Sequence, residues 1–116
     1  AAGGLCEELI AALRPGLPVK ELARLGDRRL MEMGSGHDQA AEKFPIYGHG
    51  VGLFFEKPYI STIMGDDEDV FMENMVVGIE TFVSFEGVGS AGFEQNVIIT
   101  KNGPEITTTA PMYWFD

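Results

Sequence analysis

Three side chains with metal-binding chemistry stand out in a chain of 116 residues: His49, Glu80 and Glu94. His49 lies between glycines in "YGHGVGLFFEKPYIS" (47–61) and is one of only two histidines. A histidine that merely fills space needs no backbone room on both sides, whereas one that must reach an ion or a substrate often does. Glu80 sits inside the otherwise apolar run "MVVGIETFVSF" (75–85), and Glu94 follows a Gly-Phe pair at the head of "FEQNVIIT" (93–100). A carboxylate carried into an apolar layer is costly unless it is paired or bound to a cation. Neither strand supplies one, because no Lys, Arg or His occurs between residues 58 and 100. Taken alone, two partly buried carboxylates could equally face water. Converging with His49, they form a nitrogen/oxygen set that suits Mn, Co, Fe or Zn at a hydrolytic site and leaves positions open for water.

The elements that must bring these groups together show in the periodicity. Leu5, Leu9 and Leu13 recur every four residues and predict one face of a helix. Arg14-Pro15-Gly16 ends it, since proline disfavours helix at the residue before it. A second helix is expected from Leu17-Pro18, with Val19, Leu22, Ala23, Gly26, Leu30 and Met33 as its buried stripe and Gly34 as its stop. From residue 44 the period becomes two. Val77, Ile79, Thr81, Val83 and Phe85 should face one side of a strand, and Val76, Gly78, Glu80, Phe82 and Ser84 the other. Residues 93–109 read as a hairpin through Asn102-Gly103, with "EITTT" returning. Helix, helix and then antiparallel sheet is an α+β arrangement of a single domain, residues 1–116.

Bulk properties narrow the function. With 45% hydrophobic and 22% charged residues the composition is that of an ordinary globular domain. A net charge of −10 repels a phosphate backbone, which argues against nucleic-acid partners. No apolar run approaches the roughly 20 residues of a bilayer span, so no membrane partner is expected. The single Cys6 forbids an internal disulfide, fits a reducing, cytoplasmic setting, and in its leucine-flanked helical context reads as packing. The N-terminus lacks both a secretory pattern and an initiator Met, so residue 1 is expected to be an internal point of a longer or processed chain. His37, in "GSGHDQ", reads as a surface-turn histidine, and "GDDEDVFMEN" (65–74) as a solvated loop without the ligand spacing of an EF-hand.

In order along the chain, "LRPGLPVKELARLGDRRLMEMG", "YGHGVGLFFEKP", "ENMVVGIETFV" and "GFEQNVIITKNGPEIT" resemble the C-terminal half of the pita-bread metallopeptidases. That family includes methionine aminopeptidases, Xaa-Pro aminopeptidases, Xaa-Pro dipeptidases and creatinase. The resemblance implies that His49 and Glu80 bind one of two divalent ions and that Glu94 bridges both. It also implies two upstream aspartate ligands, supplied from outside these residues with the first half of the sheet. The implied function is hydrolysis of an Xaa-Pro-type peptide by metal-activated water, with Glu80 or Glu94 taking the water's proton. Glu56 is a candidate contact for the substrate amine, and relatives of this type are often homodimers. Isolated, the 116 residues are expected to bind metal weakly at best and to lack peptidase activity.

Beside the absent aspartates, two departures from the family pattern stand out. The peptidases usually carry a substrate-contacting histidine shortly after the glycine run. Here "LFFEKP" is one residue shorter, with Phe54 and Phe55 in its place. This shorter spacing resembles a lyase branch of the fold that cleaves dimethylsulfoniopropionate, but Phe55 occupies the place of the lyases' catalytic Asp. Thr81 stands where a proline usually follows the metal-binding Glu, a change expected to alter backbone stiffness more than chemistry. A non-catalytic interaction module of the same fold is the remaining alternative, and retention of all three donors argues against it.

Overall fold

The computed structural model describes residues 1–35 and 46–111. Helix α1 spans Ala2–Ala12 and α2 spans Val19–Glu32. Five strands follow: β1 (Ile46–Val51), β2 (Phe55–Ser61), β3 (Val76–Phe85), β4 (Gly89–Thr100) and β5 (Gly103–Ile106). They form one antiparallel sheet in the order β2-β1-β3-β4-β5. This is the expected α+β layout, two helices on an antiparallel sheet.

Both helices pack on the same face of the sheet, α1 over β3 and β4 and α2 over β1 and β2. Leu5, Leu9 and Leu13 are buried as their spacing requires, and Leu22, Ala23 and Leu30 of α2 join them in the core. From the sheet side come Ile60, Val77, Ile79, Val97 and Ile99, all fully buried. Cys6 lies within this layer, donating to the Ile79 carbonyl at 3.4 Å. Burial pushes its thiol up to about 11, so it stays protonated and packs rather than reacts.

Helix α2 begins two residues later than its Leu17-Pro18 signal. The backbone on either side of Pro18 is engaged by the acidic run: Phe71 N–H donates to Leu17 O at 2.9 Å, and Val19 N–H donates to Asp69 O at 3.0 Å. The acidic run is therefore only partly a solvated loop. Asp66, Asp67 and Glu68 are exposed, but Phe71 is driven fully into the core and carries Val70 into a bridge with Pro18. At the other end α2 stops at Gly34, where φ is +70°. Gly34 N–H bonds to Met31 O and Ser35 N–H to Leu30 O, both at 3.0 Å, which closes a Schellman cap.

Strand β4 starts at Gly89, four residues before its expected start at Phe93. "GSAG" reads locally as loop, yet the β3 ladder pairs every residue from Gly89 onward. The return strand also lies earlier than expected: β5 covers 103–106, not 105–109. Beyond it, Thr107 N–H still reaches Asn96 O at 2.9 Å, and the Thr108 hydroxyl accepts from Asn96 N–H at 3.3 Å.

Candidate metal centre

His49 reaches its position through an irregularity in β1. Ile46 pairs with Ser61 and His49 with Tyr59, so β1 spends one more residue than β2 over this stretch, a bulge at Tyr47-Gly48. A regular strand would put Tyr47 and His49 on one face. Instead Tyr47 is buried on the helix side, where its ring packs against Gly26 of α2 and its hydroxyl donates to Asp27. His49 points to the opposite face, beside Gly78 of β3. The bulge needs glycine at position 48: its φ is +145°, and a Cβ there would collide with the Gly78 carbonyl oxygen. A Cβ at Gly50 would meet the Lys57 carbonyl oxygen in the same way. The flanking glycines allow strands to close on β1 while the imidazole projects outward.

Glu80 and Glu94 are directly paired across β3 and β4, on the same open face as His49. Strand alternation puts their neighbours Ile79, Thr81 and Gln95 into the core. Thr81, in the usual proline's place, donates from its hydroxyl to the Ala2 carbonyl at 2.8 Å and so ties the Glu80 strand to the start of α1. His49 Nε2 lies 3.4 Å from Glu80 Oε2 and 3.7 Å from Glu94 Oε1. One donor atom from each of the three residues lies within 4.8 Å of the others. Donors bound to a single ion at about 2.1 Å stand up to about 4.2 Å apart, so small side-chain adjustments complete a shared coordination sphere. The Glu80 side chain is 20% exposed and that of Glu94 is 50% exposed. Glu94 is thus more open than its strand position suggests, because nothing among the described residues covers this face at β4.

The imidazole is oriented for binding. Its Nδ1 is 2.9 Å from the Gly50 carbonyl, which can only accept, so Nδ1 donates there and Nε2 is the ring nitrogen turned toward the carboxylates. Gly78 keeps the centre of the group clear: a Cβ there would sit 2.8 Å from Glu94 Oε1 and 3.5 Å from both Asn96 Oδ1 and His49 Cε1. Sequence reading placed Gly78 on the right face without giving it a role. The signal was there, a glycine inside an apolar strand. Donor chemistry, spacing and the missing side chain at 78 together fit a divalent cation.

Of the sequence candidates, the structure gathers His49, Glu80 and Glu94 and leaves Glu56 outside the group. Glu56 is exposed on β2, paired with Gly50. His37 lies outside the described residues.

Desolvation and the nearby Glu94 charge raise the Glu80 carboxyl above its ordinary value of 4.5, with His49 opposing the shift in part. A raised folded-state value means that, without metal, stability gained at low pH is lost as pH rises through it. Metal-free Glu80→Gln should therefore show a higher urea midpoint than the metal-free parent at pH 7. The gap should close below pH 4.5, where both states bind the proton. Equal midpoints at both pH values would mean that Glu80 is not strained by its surroundings.

Residues 4–101 match the model of metallopeptidase family M24, and the chain belongs to that family. The chain is 34% identical over 104 residues to an Xaa-Pro dipeptidase of Pyrococcus horikoshii, a match covering 88% of this chain and 27% of that one. Among solved structures, the prolidase from Pyrococcus horikoshii superposes with a TM-score of 0.78 at 30% identity, over 95% of this chain and 30% of that one. An X-Pro aminopeptidase from Thermotoga maritima gives a TM-score of 0.81 at 26% identity, over 97% and 30% of the two chains. The chain thus spans about 30% of the length of these solved relatives and has the pita-bread fold of the family, fitting its C-terminal half.

Proposed function

We propose that residues 1–116 form the C-terminal part of a catalytic domain that hydrolyses peptides, with Xaa-Pro dipeptides as the substrate class. The observation that supports this most strongly is the convergence of His49, Glu80 and Glu94 on one face of the sheet. In this reading His49 Nε2 and Glu80 hold one divalent ion. Glu94, the more open carboxylate, would be shared with a second ion, whose remaining ligands would have to come from the first half of the fold. Divalent ions in such a site polarise a carbonyl and lower the pKa of water toward neutrality. Glu80 or Glu94 would accept the proton that the attacking water gives up. Exposed Glu56, seven residues beyond His49, is the candidate for the substrate amine. A peptide and the first half of the fold are the partners this reading requires, a second copy is a further candidate partner, and a single cysteine suits a cytoplasmic setting.

Phe55 carries no group able to abstract a proton, which places lyase chemistry below hydrolysis. The test is turnover of an Xaa-Pro dipeptide panel by the full chain carrying these residues, loaded with Mn²⁺ or Co²⁺. The parent should exceed its Glu94→Ala variant by about 1,000-fold in kcat/KM, the equivalent of roughly 4 kcal/mol of lost charge stabilisation. Parent turnover no higher than that of Glu94→Ala would refute the hydrolase reading.

A further inference from the structure

The aromatic step beside the metal centre has no counterpart in the roles assigned so far. Phe55 lies against His49 with ring centroids 4.0 Å apart and an interplanar angle of 33°. Behind it Tyr59 stacks on Phe55 at 5.4 Å and 27°. Both belong to β2: Tyr59 is the cross-strand partner of His49, and Phe55 pairs with Val51 past the bend that displaces Lys57 and Pro58 from the ladder. Phe55 is 46% exposed. A half-exposed phenyl ring gains less from burial than a core one, and its position secures ring contacts with the His49 imidazole and with Tyr59.

We propose that Phe55 is a positioning residue for His49, holding the imidazole plane so that Nε2 points at the carboxylate pair. The inference rests on the reading of His49 as a metal ligand. Two freedoms decide where Nε2 points. The Nδ1–H bond to Gly50 O fixes one edge of the ring. That bond still permits the ring to tilt about the line joining the two atoms, and Phe55 blocks the tilt by covering a ring face. Tyr59 in turn limits the movement of Phe55. Outer-shell partners of this kind are worth about 10- to 100-fold in metal affinity. The stretch "LFFEKP" thus contributes to the site through a flat ring at the start of β2.

The test is a Co²⁺ titration of the metal-free full chain, read by calorimetry and by the visible absorption of bound cobalt, with the metal-free thermal midpoint recorded for every variant. Phe55→Leu keeps an apolar side chain but loses the flat ring. It should weaken Co²⁺ binding about tenfold and alter the cobalt spectrum, with its metal-free midpoint unchanged. Phe55→Tyr should retain the parent's affinity and spectrum. His49→Ala, run alongside, should lose the site altogether. Parent-like affinity and spectrum in Phe55→Leu, with binding abolished in His49→Ala, would overturn the positioning role while leaving the ligand assignment intact. Undiminished binding in His49→Ala would overturn both.

Discussion

Gly48→Ala is expected to destabilise the chain by about 4 kcal/mol, an exceptional loss for the addition of one methyl group. Two effects combine. The residue holds φ = +145°, a conformation that an alanine reaches only with strain. Its new Cβ would also drive into the Gly78 carbonyl oxygen, which is backbone of the neighbouring strand and cannot swing aside. Relieving the clash means parting β1 from β3, and β1 is the strand that joins β2 to the rest of the sheet. Even a variant that folds would lose the bulge, and with it the device that turns Tyr47 and His49 to opposite faces. Urea unfolding of parent and variant without metal measures the loss. A change under about 1 kcal/mol would show that the strand has slack that the register does not suggest.

Gly78→Ala should do the reverse, leaving the fold and removing the site. Its Cβ would meet Glu94 Oε1 at 2.8 Å, the far end of a flexible, half-exposed side chain that can rotate away at little cost. Metal-free stability should change by less than about 1 kcal/mol. The carboxylate cannot, however, rotate away and still share an ion with His49 and Glu80. Metal affinity should fall about 100-fold, at the upper end of what changes around a metal site produce. Calorimetric titration with Mn²⁺, beside a urea curve of the metal-free protein, separates the two effects. Unchanged affinity would place the ion away from the space that Gly78 leaves open.

The contrast between these glycines marks what could be read from the chain and what could not. The donor set was legible because each donor breaks its local pattern: a histidine set among glycines, and two carboxylates in apolar strands with no basic residue nearby. The helices were legible because their leucines and alanines keep the helical period over several turns. The facing of His49 was not, because strict alternation puts it with Tyr47 and only the bulge at Gly48 separates them. The early start of β4 was hidden for a related reason. Glycine and serine carry weak strand preference, and the pairing of Gly89–Gly92 comes from β3 across the ladder. Phe71 was obscured by the acids before it, although an aromatic ring beside an acidic loop still goes to the nearest core. Lys20 was equally silent: a lysine on a helix ordinarily reaches water, but this one is buried and donates to Ser61 O at 3.0 Å and Met64 O at 2.6 Å. For His49, Phe71 and Lys20 the deciding partner lies far away in sequence, whereas for β4 it is the preceding strand across a tight turn.

Crystals of the full chain grown with Mn²⁺ and recorded near the manganese absorption edge would test the metal centre most directly. An anomalous peak within about 2.3 Å of His49 Nε2 and of a carboxylate oxygen from both Glu80 and Glu94 is the expected result. Manganese bound elsewhere, with these three side chains still turned toward one another and no peak between them, would contradict it.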